Sequence, residues 1–274
     1  MKVLDVSRFS KSYGSKEVLH DISFSIDQKD MFAILGVNGA GKTTLLECIE
    51  GLRPFNQGTV SFPNGDTFGV QLQSSTLPDN IKVGEIVELI CVWNDSPDKD
   101  KYMELLDLHS IADQAYKTLS TGQKRKLHLI LALINEGDIL FLDEPTAGLD
   151  VEARAEFHAL LRKLNDAGKT IVFSSHDMAE VESLCTRMIF LKGGEIAFFG
   201  AVEDFKKSVR KTYTVTIRTE QSDAPLVYEL TDLTNELLEL IQSYKDKKIP
   251  IVDLNITQPS LEDVFLKFAG EAKS

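Results

Sequence analysis

Cysteine is scarce in this 274-residue chain. Three thiols, Cys48, Cys91 and Cys185, stand far apart and are odd in number. That excludes a disulfide framework and points to a reducing compartment. Long apolar runs are also missing. The longest, Leu127 to Ile134, is broken by His128 and falls far short of the ~20 residues that span a bilayer. No secretory leader is expected, because Asp5 and Ser7 interrupt the place where its apolar centre would sit. Positive charge is in deficit: 30 Lys and Arg stand against 42 Asp and Glu, a net charge of −12. Non-specific nucleic-acid binding, which depends on neutralising phosphates, is therefore disfavoured. No internal repeat or low-complexity tract is present. With 43% hydrophobic and 26% charged residues, the chain reads as an ordinary soluble globular protein of one large domain with an appendage.

The hydrophobic pattern gives an α/β order. Ile22, Phe24 and Ile26 alternate with polar residues, as in a half-buried strand. Met31 to Leu35 is a continuous apolar run, the mark of a strand covered on both faces. A glycine-rich loop and a helix over Lys42 to Gly51 follow, then Pro-, Asn- and Gly-rich short strands and turns to Gly69. Between about 76 and 134 apolar residues recur at helical spacing, in Ile81 to Cys91, Tyr102 to Leu108 and Lys124 to Ile134. Buried strands resume at Ile139–Leu142, Thr170–Phe173 and Arg187–Leu191, with a helix over Val151–Leu164 between the first two. Strands alternating with helices predict a mostly parallel sheet carrying a helical insertion. After Gly200 the pattern changes. Tyr213–Arg218 alternates as a strand, Leu230–Tyr244 suits a helix, and Ser260 to Asp263 opens a short helix with Leu261, Val264, Phe265 and Phe268 on one face. The expected division is 1–205 and a small α/β unit, 206–274.

Chemistry enters at Gly36-Val-Asn-Gly-Ala-Gly41-Lys42-Thr43. This matches G-x-x-x-x-G-K-[ST] in the required place, between a buried strand and a helix. Glycines let backbone N–H groups curl around phosphate oxygens, and the helix N-terminus adds a favourable dipole. Lys42 would neutralise β- and γ-phosphates, and Thr43 would offer its hydroxyl to Mg²⁺.

A second group lies downstream. Asp143 and Glu144 end the apolar run Ile139–Leu142, at the carboxyl edge of the sheet where ligands sit in open α/β folds. Asp143 suits a magnesium ion or its water shell, and Glu144 suits a general base for water. Ser120, Thr121 and Gly122 open the helix after Leu119, where Ser120 or Thr121 also reads as a plain helix cap. His176 follows a strand, and Gln73 follows Gly69-Val70-Gln71-Leu72. Tyr13 stands in Lys11-Ser12-Tyr13-Gly14. Each of these alone would pass for a structural residue.

Their order carries more than any member. Tyr13, the phosphate loop, Gln73, Leu119–Gln123, Asp143-Glu144, Ala147-Gly148-Leu149-Asp150 and His176 resemble the ATP-binding cassette (ABC) ATPases over about residues 1–205. The resemblance implies an α/β P-loop NTPase core with a mostly parallel sheet, an N-terminal antiparallel β-subdomain and an inserted helical subdomain. It also implies roles. Tyr13 would stack on adenine with Val18 beside it, and Asn38, Gly39, Ala40, Gly41, Lys42, Thr43 and Thr44 would wrap the triphosphate. Gln73 would touch Mg²⁺ and the attacking water, Asp150 would shape a dimer seam, and His176 would bond the γ-phosphate. Ser120, Thr121 and Gly122 would close over ATP held by a second cassette, in a homodimer or with a paralogue. Thr121 departs from the family's glycine and is stiffer.

The resemblance further implies an ATPase subunit of a membrane transporter. Cassettes that act on nucleic acid or ribosomes differ by tandem motifs, a splitting coiled coil or zinc-binding cysteine pairs, none of which is seen. Glu144 and His176 argue against a non-hydrolysing ATP sensor. With no spanning run, the permease is expected to be a separate polypeptide and this subunit peripheral on the cytoplasmic face of the membrane, soluble when isolated. The stretch Leu77–Ile90, with Asp79, Asn80, Lys82 and Glu85 as a polar rim, is expected to receive a short helix of that permease. Pro259 to Leu266 resembles the tail of subunits from exporters of drugs, lantibiotics or polysaccharides.

Overall fold

In this computed structural model, residues 1–63, 65, 67–73, 76–96, 99–209, 213–220 and 222–257 are described. The chain divides into two compact units, Met1–Gly200 and Ala201–Ser274.

The first unit opens on β1 (Lys2–Tyr13) and β2 (Lys16–Asp27), paired antiparallel with Phe9 opposite Ile22 and Val6 opposite Phe24. The alternation of Ile22, Phe24 and Ile26 buries these side chains on one face, as a half-solvated sheet requires. β3 (Met31–Gly36) is buried at every position and leads into α1 (Lys42–Ile49). β4 (Gln57–Ser61) joins β1 to complete a three-stranded antiparallel sheet.

β5 (Phe68–Gln71), β6 (Ile139–Asp143), β7 (Thr170–Ser175), β8 (Arg187–Lys192) and β9 (Glu195–Ala201) form a six-stranded sheet with β3, in the order β5-β6-β7-β3-β8-β9. The pairs β5–β6, β6–β7, β7–β3 and β3–β8 are parallel. Register decides what the carboxyl edge displays. Gln71 lies opposite Leu142, Asp143 opposite Ser174, and Ser175 opposite Leu35. The chain segments after four neighbouring strands therefore emerge side by side.

Between β5 and β6 the helical insertion contains α2 (Val83–Trp93), α3 (Lys99–Leu105) and α4 (Thr121–Leu133). Tyr102, Met103, Leu106, Leu108, Ile111, Tyr116 and Leu119 are buried within it. α4 lies against β5 so closely that a Cβ on Gly69 would sit 2.1 Å from the Ala132 carbonyl oxygen. α5 (Val151–Asp166) and α6 (Met178–Leu184) flank β7 in sequence. The expectation passed over α6 and β9. α6 has a cap that was there to be read: the Asp177 carboxylate accepts from the N–H groups of Ala179 and Glu180 at 2.9 and 3.2 Å.

The second unit contains α7 (Val202–Val209), β10 (Tyr213–Thr219), β11 (Ser222–Leu230), α8 (Leu233–Asp246) and β12 (Ile251–Thr257). Its antiparallel sheet runs β11-β10-β12, and Val215, Ile217, Leu230 and Tyr244 form its core. Leu230 ends β11 instead of starting the helix, because Asp232 caps α8 through the N–H groups of Thr234 and Asn235. β11 escaped the sequence reading because its residues 224–227 are all exposed and it carries Pro225, tolerated since β11 is an edge strand. The helix expected from Ser260, with Leu261, Val264, Phe265 and Phe268, lies outside the described residues. So does the exporter-like stretch Pro259–Leu266.

Candidate active site

The loop between β3 and α1 is shaped by backbone that only glycine adopts cheaply. Gly39 has φ +83° and Gly41 φ +104°. Gly41 is also confined: a Cβ there would meet Leu19 Cδ2 at 2.7 Å. The Val18 carbonyl lies 3.4 Å from the same point, so Val18 borders the loop while its side chain packs on the core. α1 starts at Lys42 with no side-chain cap. Its first N–H groups have no intrahelical partner, the arrangement that receives an anion.

Lys42 is 5% exposed, although its sequence position gave it no packing role. Its ammonium donates to the Gly36 carbonyl at 2.8 Å and lies 3.5 Å from Glu144 Oε1. Glu144 gathers the other expected residues. Its Oε2 accepts from Gln73 Nε2 at 3.1 Å, and its Oε1 lies 3.3 Å from His176 Nδ1. Glu144 has φ +45°, uncommon for a side-chain-bearing residue. Its N–H donates to the Ser174 hydroxyl at 2.9 Å, which holds the backbone in that conformation.

Asp143 is buried beneath Glu144. Its carboxylate accepts from the Ser174 hydroxyl and bonds the Thr43 side chain. Burial raises its pKa, partly offset by those two bonds. Hard oxygen donors on Thr43 and Asp143, beside an uncapped helix N-terminus, suit a magnesium ion shared with phosphate. Among the described residues no three His, Cys, Asp or Glu side chains form a metal cluster.

Tyr13 ends β1 and is half exposed. Lys11 Nζ lies 4.7 Å from its ring centroid and donates to the Pro54 carbonyl at 2.6 Å. Lys11 is buried; the sequence reading quoted it without giving it a role.

Ser120, Thr121 and Gly122 stand at the start of α4. The Ser120 hydroxyl accepts from the Gln123 N–H at 3.2 Å, and Gln123 Oε1 accepts from the Ser120 N–H at 2.9 Å. This capping box uses the Ser120 oxygen. Among the described residues no hydrogen bond joins 120–122 to the phosphate loop, Glu144 or His176. The Thr121 methyl lies 3.8 Å from where a Cβ on Gly148 would stand, so the side chain fits beside that turn without crowding it. Asp150 caps α5 by accepting from the Ala153 N–H at 2.8 Å.

Two residues outside the expected set support the site. Ser174, buried in β7, bonds both Asp143 and the Glu144 backbone; its one signal was a hydroxyl ending an apolar strand. Glu180 accepts from Thr146 and Ser175 at 2.7 and 2.6 Å and lies 3.0 Å from His158 Nε2, and these bonds hold its pKa down against burial. A cavity of about 140 Å³ opens here, lined by Glu144, Arg154, His176 and Glu180 among others. A larger one of about 270 Å³, by Val3, Thr67 and Asn135, contains none of the chemical groups and carries no argument about the site.

The expected docking stretch proves partly structural. Val83, Ile86 and Val87 are buried, and Glu85 caps α2 by accepting from the Lys82 N–H at 3.0 Å. Within the stretch Leu89 is exposed and Leu77, Ile81 and Ile90 are half-buried; beyond it, at the end of α2, Val92 and Trp93 are exposed, the last 83%. No described helix is long and apolar enough to cross a membrane.

A family model described as ABC transporter matches residues 19–147. An uncharacterized ABC transporter ATP-binding protein of Methanocaldococcus jannaschii is 30% identical over 270 residues, covering 96% of this chain and 98% of the relative. The linearmycin resistance ATP-binding protein LnrL of Bacillus subtilis is 27% identical over 314 aligned positions, 98% of each protein. The dimeric structure of a bacterial ABC transporter cassette superposes with TM-score 0.65 at 25% identity, covering 73% of this chain and 98% of that one.

Proposed function

The chain belongs to the ATP-binding proteins of ABC transporters, and from that membership we propose that it hydrolyses MgATP as one of a head-to-tail pair that drives export through a separate membrane permease. Its family are ATP-binding cassettes that hydrolyse ATP, and its fold is theirs. The observation that carries the mechanism is the convergence of Lys42, Gln73 and His176 on the Glu144 carboxylate.

In this reading the loop from Asn38 to Thr44 wraps the triphosphate with its N–H groups. Lys42 moves its charge from Glu144 to the phosphates, which frees the carboxylate. Glu144 then takes a proton from the attacking water, while Gln73 and His176 orient that water and the γ-phosphate. Thr43 and Asp143 would hold a magnesium ion, whose charge would offset that of the phosphate oxygens. Tyr13 carries the adenine. Ser120, Thr121 and Gly122, with no hydrogen bond to their own chain's loop among the described residues, meet the nucleotide of a second cassette, and Asp150 lies in the seam. The dimeric relative supports such a pair.

The exposed Leu89, Val92 and Trp93 of α2 support a docking surface for a permease helix, which needs apolar area on the cassette. The resistance named in the Bacillus relative supports export. Mg²⁺-dependent phosphate release by the purified chain tests the enzyme reading, with Lys42→Ala expected to abolish ATP binding; turnover without Lys42 would overturn it. Recovery on membranes containing the permease tests the docking reading, with Trp93→Asp expected to lower recovery and leave ATP hydrolysis of the isolated chain intact.

A further inference from the structure

Arg125 lies one turn into α4, half-buried, with its two terminal nitrogens on different chain segments. Nη1 donates to the Gln73 carbonyl at 3.4 Å, and Nη2 donates to the Ala147 carbonyl at 3.4 Å. Both acceptors belong to segments that govern Glu144. The Gln73 side chain bonds Glu144 directly. Ala147 closes the turn that starts at Glu144, its N–H donating to the Glu144 carbonyl at 3.2 Å. The carboxylates of Asp143 and Glu144 are close enough to act on Arg125 electrostatically, opposing the effect of burial on its pKa. A guanidinium presents a rigid fork of donors that can hold two acceptors at once; an ammonium is a single point charge.

The same helix begins with Ser120, Thr121 and Gly122. Its first turn also approaches the segment after Glu144, the Thr121 methyl lying 3.8 Å from where a Cβ on Gly148 would stand. Lys126 ties it to α5 through Glu156 at 2.8 Å. α4 thus acts as one lever, with Ser120, Thr121 and Gly122 at its tip and Arg125 one turn behind them.

We propose that Arg125 is a positioning residue for hydrolysis, fastening the Gln73 segment and the turn after Glu144 to α4, so that engagement of residues 120–122 by a second cassette sets the placement of Glu144 in its own. The inference rests on the preceding reading of Glu144 and adds a route by which one ATP site reports to the other. Among the described residues the hydrogen bonds of Arg125 go to backbone carbonyls and not to the side chains assigned to nucleotide or metal. Its effect belongs in the rate of the chemical step, where a misplacement of about 1 Å costs up to ~100-fold, and ground-state binding should be spared.

The experiment compares wild type, R125Q, R125K, Q73A and the double variant Q73A/R125Q in MgATP hydrolysis and in equilibrium binding of ATP without Mg²⁺. R125Q should lower kcat roughly 10–100-fold with ATP affinity within about twofold. R125K, which can serve one carbonyl at a time, should fall between. Because part of the effect of Arg125 passes through the Gln73 side chain, the double variant should lose less than the product of the two single losses. Wild-type kcat in R125Q, multiplicative loss in the double variant, or equal loss of ATP affinity and kcat/KM would each overturn the proposal. If R125Q melts well below the wild type, R125K carries the same comparisons. Absence of turnover in the wild type refutes the preceding reading instead, so the two failures are distinct.

Discussion

The side-chain amide of Gln73 donates to the Glu144 carboxylate at 3.1 Å, across 71 positions of sequence. Gln73 leaves β5 toward the helical insertion, and Glu144 leaves β6 toward the turn that leads to α5. One hydrogen bond therefore joins the proposed base to the segment that enters the helical insertion. That insertion carries the only tryptophan of the chain, Trp93, at the exposed end of α2. MgATP should change Trp93 fluorescence, and Gln73→Ala should blunt the change while leaving nucleotide affinity within about twofold. An undiminished response in the variant would show that the signal travels another way.

Glu144→Gln keeps the bond to Gln73 in shape and removes the proton acceptor. Loss of a general base costs ~10²–10⁴-fold in rate. The variant should bind MgATP, hydrolyse it that much more slowly, and elute from a sizing column as a dimer when MgATP is present. Wild-type turnover would remove Glu144 from the role.

Lys11 bears on the base end of the site. Its ammonium sits over the Tyr13 ring at 4.7 Å, a contact worth ~0.5–2 kcal/mol. Lys11→Met should leave the ring less firmly held and weaken ATP binding by roughly 2- to 30-fold on that scale. Affinity for inorganic tripolyphosphate, which has no base to stack, should not change. Titration calorimetry with both ligands checks the difference; equal losses would mean that Lys11 supports the fold and not the ring.

Glu50, at the C-cap of α1, predicts the pH dependence of the nucleotide-free protein. Burial, then the charges of Asp143 and Glu47, push its pKa from 4.5 to about 8. Between those values the folded chain keeps a proton that the unfolded chain has released. Stability from this group is therefore full below about pH 4.5 and is lost as pH rises toward 8. At roughly 1.4 kcal/mol for each tenfold change in proton affinity, the loss amounts to a few kcal/mol. Glu50→Gln should remove most of that decline, making the variant more stable than the wild type at pH 8. Urea unfolding from pH 5 to 8 measures it, and parallel curves for the two proteins would refute the assignment.

Some features of this protein are legible in the chain alone, because local physics writes them into neighbouring residues. Met31–Gly36, Ile139–Asp143 and Thr170–Ser175 read as buried strands because covering both faces demands continuous apolar side chains. The loop from Gly36 to Thr43 read as a phosphate site because its backbone needs glycine where φ is positive, and Gly39 and Gly41 are so. The order of the motifs carried the family. The tertiary structure alone decided which of these residues meet. The register of β5, β6, β7 and β3 aligns the segments bearing Gln73, Glu144, His176 and Lys42, and hydrogen bonding between distant strands leaves no local mark. It also decided which polar residues support the fold: Glu85 caps α2, Ser120 and Asp150 cap α4 and α5, and Lys42 is buried. Arg125, Ser174 and Lys11 acquire their partners only when chain segments dozens of residues apart close on them. A side chain's type is local, but its acceptors are supplied by the fold.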